Sequence, residues 1–210
     1  MSVKVKICGI TSLADARLCV EAGADALGFN FVEGTPRYVA PAAAAAIIAE
    51  LPPFVTPVGI FWGHSPGHVK AVAEQCGLRA LQFHGNESPD DLAEHRLPLI
   101  KTIKVSAEAD LSQLGRYPVS AYLLDSQARW SEGEAREPIS WELARRGAAA
   151  GYRIILAAGL TPDNVAEAIE RSRPYAVDVA SGVEARPGAK DPAKVRRFVE
   201  RARSAGEGNR

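Results

Sequence analysis

The sequence predicts an α/β fold, a single (β/α)8 barrel of the TIM type, from three observations. Short β-rich segments alternate with alanine-rich amphipathic segments along the whole chain, which indicates a mostly parallel sheet. Eight β-rich segments occur at short spacing, and this count favours closure into a barrel. Polar side chains follow several of these segments directly, where the sites of such barrels lie. An open doubly wound sheet is the structural alternative.

The predicted elements follow from hydrophobic periodicity and from helix start signals. Strands are predicted at residues 3–7, 26–31, 56–61, 80–83, 99–103, 121–124, 153–156 and 176–179. Helices are predicted at residues 13–22, 42–51, 66–76, 89–94, 141–150, 164–172 and 193–205, with at best a short helix at 110–114. Three of the helices begin with a capping residue followed by proline, at Ser65-Pro66, Ser88-Pro89 and Asp191-Pro192.

Length and composition indicate one domain. The chain has 210 residues without a linker or composition break, so we expect a barrel over residues 1–205 and a disordered tail at 206–210. Its 25 basic and 25 acidic residues balance, so no overall charge attracts nucleic acid or an anionic membrane. The N-terminus lacks a signal peptide, and no segment approaches the roughly 18 apolar residues of a membrane span. We therefore expect a cytoplasmic protein with no nucleic-acid or membrane partner.

The three cysteines are isolated from one another. Cys8, Cys19 and Cys76 show no CxxC spacing, which argues against a disulfide framework or a zinc site and fits a reducing compartment. Cys19 and Cys76 fall in helical segments and are expected to be buried apolar residues. With no ligand cluster elsewhere, the sequence predicts no metal and no other cofactor.

Seven motifs occur in an order that identifies a resemblance. They are Lys6-Ile7-Cys8-Gly9-Ile10-Thr11; Gly28-Phe29-Asn30-Phe31 with Pro36-Arg37-Tyr38-Val39; Val58-Gly59-Ile60-Phe61; Leu81-Gln82-Phe83-His84-Gly85; Leu123-Leu124-Asp125; Leu156-Ala157-Ala158-Gly159-Leu160 with Pro162-Asp163-Asn164-Val165; and Val177-Asp178-Val179-Ala180-Ser181-Gly182-Val183-Glu184 with Gly188 and Lys190-Asp191. Together they resemble the phosphoribosylanthranilate isomerases of tryptophan biosynthesis, over nearly the whole chain.

The resemblance implies an isomerase that rearranges a small sugar phosphate, as a monomer or homodimer. The reaction is the Amadori rearrangement of N-(5-phosphoribosyl)anthranilate to 1-(2-carboxyphenylamino)-1-deoxyribulose 5-phosphate by general acid and base catalysis. Cys8 is the candidate base, and we expect Lys6, two residues earlier on the same strand face, to favour its thiolate. Asp125 is the candidate acid, and we expect apolar surroundings to raise its pKa.

Substrate binding is assigned to residues that follow other strands. Arg37 is expected to bind the aromatic carboxylate with two parallel hydrogen bonds. His84, with Gln82 pointing inward beside it, either contacts substrate or simply ends its strand. Asp178 is expected to point inward, where it pairs with Lys6, orients substrate or does both.

The phosphate is assigned to the loops after the last two strands, where this architecture often binds one. Gly159, Ser181 and Gly182 are the candidate phosphate-binding residues, and a short helical turn near Val183 would add its N-terminal dipole.

Two departures from the family pattern affect this end of the barrel. The loop after strand six reads Trp130-Ser131-Glu132-Gly133-Glu134-Ala135-Arg136 and ends in Ile139-Ser140-Trp141, where the family usually has a glycine-rich segment ending in Phe-Asp-Trp. Ala158 stands where the family usually has glycine, so close approach of its amide to phosphate requires a negative φ.

The sequence leaves three rival functions open. A histidine-pathway aminoaldose isomerase is expected to use two aspartates, which Cys8 disfavours. A ribulose-phosphate epimerase is expected to carry metal-binding histidines on its strands, whereas only four histidines occur here and two of them, His64 and His68, fall in a loop and a helix start. A non-catalytic barrel that senses a phosphorylated ligand is disfavoured by the joint presence of Cys8, Asp125 and Arg37.

Overall fold

The computed structural model describes residues 3–126 and 139–208. The altered loop at residues 130–136 therefore lies outside the described residues, and the prediction made for it stays a prediction.

Eight parallel strands close into a barrel in sequence order. They are β1 (Lys4–Cys8), β2 (Ala26–Asn30), β3 (Thr56–Phe61), β4 (Ala80–Phe83), β5 (Leu99–Lys104), β6 (Ala121–Asp125), β7 (Ile154–Leu156) and β8 (Ala176–Val179). Each strand pairs with the next, and β8 pairs with β1 in a register that sets Lys6 opposite Asp178. The single barrel is confirmed, and the open sheet is excluded.

Helices cover the outside of the barrel. They are α1 (Leu13–Glu21), α2 (Pro41–Ile48), α3 (Pro66–Cys76), α4 (Pro89–Ala93), α5 (Trp141–Ala149), α6 (Val165–Ser172) and α7 (Pro192–Gly208). The short helix expected at residues 110–114 is a 3-10 helix, Glu108–Gln113. No helix within the described ranges is long and apolar enough to cross a membrane.

The three capping signals form as predicted. The Ser65 hydroxyl accepts from the amide of His68, and Ser88 makes a reciprocal capping box with Asp91. Asp191 Oδ1 accepts from the amides of Ala193 and Lys194. Each cap satisfies amides that the first turn leaves without a partner.

Alternation along the strands separates two apolar layers. Side chains such as Val58, Ile100 and Leu123 pack together inside the barrel, while their neighbours pack outward under the helices. Lys6 belongs to the inner set because its register partner Ala26 packs against it, and Asp178 does so because it lies two residues after the inner Ala176 on β8. The interior therefore carries charge at the β1–β8 side.

Two features of the C-terminal part of the chain differ from expectation. A hairpin of β9 (Glu184–Arg186) and β10 (Ala189–Lys190) follows β8, and its strands are too short to give a sequence pattern. The tail expected to be disordered from residue 206 is still helical there, because α7 continues to Gly208. Gly206 packs so closely on Val3 that an added Cβ would lie 3.0 Å from the Val3 side chain. Residues 209–210 lie outside the described residues.

Candidate active site

One pocket at the C-terminal ends of the strands brings together every site residue predicted from the sequence. Its lining includes Cys8, Arg37, His84, Asp125, Gly159, Asp178, Ser181 and Gly182. These residues come from strand ends and loops far apart in sequence, and they meet because parallel barrel strands all end on the same face. Their convergence is observed, whereas the role of each residue stays a prediction.

Cys8 is the last residue of β1, and its thiol fits beside a glycine of the neighbouring strand. A Cβ at Gly28 would lie 3.0 Å from Cys8 Sγ and 3.1 Å from the end of the Ile60 side chain. A larger residue at this position would therefore require the thiol or its neighbours to shift by a few tenths of an ångström. This role for Gly28 was not assigned from the sequence, although the residue belongs to a quoted motif.

The charges around Cys8 act in opposite directions. Lys6 lies inside the barrel, as expected, where its Nζ donates to Asp178 Oδ1 at 2.8 Å. Burial raises the pKa of the Cys8 thiol; Lys6 lowers it, and Asp178 raises it further. The net pKa shift is upward. Lys6 thus favours the thiolate, as expected, but it does not outweigh burial and the opposing carboxylate.

Asp178 both pairs with Lys6 and lines the pocket. The two side chains are almost fully buried, and the hydrogen bond between them compensates part of the cost of burying each charge. The pairing that the sequence left open is therefore observed. Because the Asp178 carboxylate also borders the cavity, a contact with substrate remains compatible with the pair.

Asp125 is the last residue of β6, and it is buried. Its Oδ1 accepts from the amide of Ser126 at 2.9 Å, and the apolar side chain of Leu123 lines the pocket on the same strand face. Strands β1 and β6 are not neighbours in the barrel, so Cys8 and Asp125 reach the pocket from different sides. Two proton-transfer groups placed in this way can act on different atoms of one bound molecule.

Arg37 reaches the pocket already bound to a carboxylate of the protein. Its Nε and Nη2 donate to the two carboxylate oxygens of Glu184 at 2.9 and 2.7 Å. Burial lowers the pKa of Arg37, but the hydrogen bond and charge of Glu184 reverse this, so the net shift is upward. The guanidinium therefore stays charged and oriented at the pocket wall.

Glu184 also binds a buried lysine. Lys190 Nζ donates to Glu184 Oε1 at 2.9 Å and to the Cys8 carbonyl at 2.6 Å. Burial alone would raise the pKa of Glu184, but Arg37 and Lys190 together hold it below its usual value. Glu184 and Lys190 were quoted in the sequence motifs without a role, because nothing in the sequence indicated that they pair across the hairpin.

His84 follows β4 directly and is buried at the pocket wall. Its Nε2 lies 2.6 Å from Nε2 of Gln82, which points inward on the same strand face, as predicted. With the Gln82 amide nitrogen as donor, His84 Nε2 is the acceptor in this contact. His84 is thus held in place beside the cavity.

The loops after β7 and β8 touch each other, as a shared anion site requires. A Cβ at Gly182 would lie 1.9 Å from the Leu160 carbonyl oxygen, so only glycine fits there. Ser181–Val183 forms a 3-10 turn, as expected near Val183, and the first amides of such a turn have no partner within it. Asn164 fixes the other loop by donating to the Gly159 carbonyl at 2.9 Å and accepting from the Thr161 amide at 2.8 Å.

The expected conformation of Ala158 is wrong. Its φ is +62°, and Gly159 follows with the same value, so two consecutive residues adopt the left-handed region. This conformation strains an alanine because its Cβ crowds the backbone. The loop thus gives an alanine a conformation natural to glycine. Asn164 holds it on one side through the Gly159 carbonyl, and the Ala157 amide holds it on the other by donating to the Leu124 carbonyl.

The candidate site does not contain an evident metal cluster. Across residues 3–126 and 139–208, no group of three His, Cys, Asp or Glu side chains is arranged to hold a metal ion. Cys8, Cys19 and Cys76 are all free thiols.

Comparison with known proteins places the chain in a family. The model of the family described as N-(5'-phosphoribosyl)anthranilate (PRA) isomerase matches residues 5–201. The N-(5'-phosphoribosyl)anthranilate isomerase of Citrifermentans bemidjiense is 52% identical over 200 residues, which cover 95% of this chain and 97% of the relative. The isomerase of Trichlorobacter lovleyi is 48% identical over 203 residues, covering 97% and 99%.

Solved structures agree with these relatives. The phosphoribosyl anthranilate isomerase of Thermus thermophilus superposes with a TM-score of 0.87 at 41% identity, covering 96% of this chain and 99% of that one. A phosphoribosyl anthranilate isomerase in complex with reduced 1-(o-carboxyphenylamino)-1-deoxyribulose 5-phosphate superposes with a TM-score of 0.86 at 39% identity, with the same coverage. The chain therefore belongs to the phosphoribosylanthranilate isomerase family.

Proposed function

We propose that this pocket catalyses the reaction of its family, the Amadori rearrangement of N-(5-phosphoribosyl)anthranilate in tryptophan biosynthesis. One observation carries the proposal: Cys8 and Asp125, two groups able to transfer protons, enter the same pocket from different strands. The rearrangement needs one proton delivered and one removed, so two such groups suffice. Neither step requires a metal or a redox cofactor.

Asp125 is the proposed acid. A protonated carboxyl at the end of β6 can deliver its proton to the ring oxygen of the ribose and so help to open the ring. Opening gives an iminium ion, in which the hydrogen on the adjacent sugar carbon becomes acidic. The second proton transfer can then begin.

Cys8 is the proposed base. Its thiolate takes the proton from the carbon beside the former anomeric centre, and the resulting enolamine becomes the aminoketose. Because burial raises the pKa of Cys8, the thiolate is a strong base once it forms. The neighbouring Lys6 stabilises the thiolate charge during this step.

The remaining residues are proposed to hold the two ends of the substrate. The loops at Gly159 and at Ser181-Gly182 supply backbone amides for the phosphate, supported by their close contact. Arg37 binds the aromatic carboxylate. His84 and Asp178 line the space between these ends and are proposed to contact the substrate there.

The test is turnover of freshly generated phosphoribosylanthranilate without added metal, followed by loss of its anthranilate fluorescence and identification of the product. We expect the aminoketose to form faster than spontaneous hydrolysis allows, and Asp125→Asn to abolish this. Binding of phosphate ligands without turnover would support a sensor instead. Turnover of only the histidine-pathway aminoaldose would support that rival isomerase.

We also propose a cytoplasmic protein that is a monomer or homodimer. Three free cysteines support a reducing compartment. One solved relative is described as monomers generated from the dimeric isomerase of Thermotoga maritima, with a TM-score of 0.86 at 38% identity. Light scattering over a concentration series decides between the two states.

A further inference from the structure

A cluster of three charged residues, Arg37, Glu184 and Lys190, reaches the pocket through Arg37 and takes no part in the proton transfers. Glu184 lies at its centre, at the start of the hairpin, and its side chain is almost fully buried. Arg37 occupies both of its oxygens, and Lys190 shares one of them. One partly buried and one fully buried cation thus meet one carboxylate, and these three side chains together carry a net charge of plus one.

The geometry of the guanidinium leaves one edge for a ligand. Arginine has five N–H groups in a rigid plane. Glu184 takes the Nε hydrogen and one Nη2 hydrogen, which form one edge of the fork. The two Nη1 hydrogens and the second Nη2 hydrogen remain. Among the described residues, none accepts a hydrogen bond from Nη1 of Arg37. The terminal edge of the fork can therefore bind a second carboxylate bidentately.

Lys190 fixes Glu184 relative to the strand that carries Cys8. Its Nζ has no exposed surface and also binds the Cys8 carbonyl, so the hairpin is tied to the end of β1. Gly9 adds a steric constraint, because its φ is +77° and a Cβ there would lie 2.6 Å from Arg37 Cδ. The Arg37 side chain is thereby held along its stem as well as at its head.

We propose that Glu184, supported by Lys190, is a positioning residue that fixes the Arg37 guanidinium so that only its terminal edge selects a substrate carrying an aromatic carboxylate. The inference rests on the proposed function and deepens it. Without Glu184, the guanidinium would lose its fixed plane and would also turn toward other anions. Selectivity for the carboxylate would then fall, while the proton transfers at Cys8 and Asp125 would continue.

The test compares two substrates on one set of variants. Phosphoribosylanthranilate carries the carboxylate, and N-(5-phosphoribosyl)aniline lacks it, with product quantified by chromatography. We expect Glu184→Gln to raise KM for the first substrate about tenfold with kcat within a factor of about two, since one charged hydrogen-bonded contact is worth roughly this factor. With the aniline substrate, the variant and the wild-type chain should give the same KM.

Three variants make the result specific. Glu184→Asp keeps the charge but shortens the side chain, so we expect a smaller KM increase, again confined to the carboxylate substrate. If Glu184→Gln does not fold, Glu184→Asp alone tests the proposal. Adding Glu184→Gln to Arg37→Ala should change KM no further. Glu21→Gln, at an exposed glutamate on α1, is the matched control and should behave as wild type.

The outcomes separate the two proposals. Suppose that the wild-type chain turns over its substrate, and that Glu184→Gln and Glu184→Asp raise KM equally for both substrates. Glu184 would then only support the fold. A further KM increase in the double variant would also overturn the positioning role. No turnover of either substrate by the wild-type chain would overturn the proposed function, and the positioning role with it.

Discussion

Two buried ion-pair networks lie on opposite sides of the barrel, and only one of them reaches the pocket. At the β1–β8 side, the Lys6–Asp178 and Arg37–Glu184–Lys190 side chains are joined by hydrogen bonds of 2.7 to 2.9 Å. Lys190 also donates to the Cys8 carbonyl at the end of β1, at 2.6 Å. At the β4–β5 side, Lys101 pairs with Glu87 at 2.8 Å.

The second network lies outside the barrel wall. Lys101 stands in register with Phe83 and Tyr122, whose side chains pack outward under the helices. Glu87 accepts from the amides of Gly63 and Gly85, so this network ties two loops together. Among the described residues, none of its hydrogen bonds reaches a side chain that lines the pocket. We therefore expect only the network that borders the cavity to affect catalysis.

The largest expected effect separates Cys8 from the other buried thiols. Cys8→Ala should lower kcat by about a thousandfold with little change in substrate affinity, because general base catalysis typically contributes a factor of about 100 to 10,000. Cys19→Ala is the matched control, since Cys19 is buried within α1 and outside the pocket. Steady-state kinetics on both variants measure the difference. Near-normal turnover by Cys8→Ala would show that the base is another group.

The second prediction concerns the network away from the pocket. Lys101→Met should lower the free energy of unfolding by about 3 to 5 kcal/mol, because it leaves the Glu87 carboxylate buried without its cation. Below the melting temperature, kcat/KM should stay unchanged. Urea unfolding and kinetics measure both quantities, with the exposed Lys70→Met as control. A large loss of kcat/KM in folded Lys101→Met would remove the distinction between the networks.

The third prediction is a pH effect of the network at the pocket. Because the pKa of Cys8 is raised above its ordinary value of 9.0, the thiolate fraction and kcat/KM of the free enzyme should rise with pH through the alkaline range. Lys6→Met removes a charge that lowers this pKa and leaves Asp178, which raises it. The rise of kcat/KM with pH, the alkaline limb of the profile, should therefore move to higher pH. Rate profiles from pH 6 to 10 measure the shift. An unmoved limb would exclude Lys6 as an influence on the base.

The smallest expected effect concerns the strained alanine. Ala158→Gly should raise the free energy of unfolding by about 0.5 to 1 kcal/mol, since glycine adopts a positive φ without crowding and only part of the gain is lost to its greater freedom in the unfolded chain. Ala157→Gly is the control, because Ala157 is buried, has no positive φ and should lose stability. Equal losses in both variants would mean that Ala158 is unstrained.

The sequence predicted the barrel from short-range patterns, and it predicted the site residues from the strand ends together with the family resemblance. The alternating segments predict where the strands lie, and the residue that follows each strand end is predicted to reach the site. Cys8 and Asp125 could therefore be located without any contact information. The strand ends differ from prediction by no more than one residue, since the hydrophobic runs stop where the loops begin.

The parts that could not be predicted depend on contacts between distant residues. Glu184 pairs with Arg37 across 147 positions, and no local pattern indicates that pairing. The hairpin is too short to show alternation. Ala158 was expected to have a negative φ because alanine prefers one, but tertiary contacts at the loop override that preference.

The most direct test of the account is a crystal structure of this chain with the reduced product, 1-(o-carboxyphenylamino)-1-deoxyribulose 5-phosphate. We predict that the phosphate binds the amides near Gly159 and Gly182 and that the aromatic carboxylate meets the terminal edge of Arg37, with Glu184 still on the other edge. Cys8 Sγ and Asp125 should then contact the sugar from different sides. A phosphate bound elsewhere, or a carboxylate that displaces Glu184, would contradict the account.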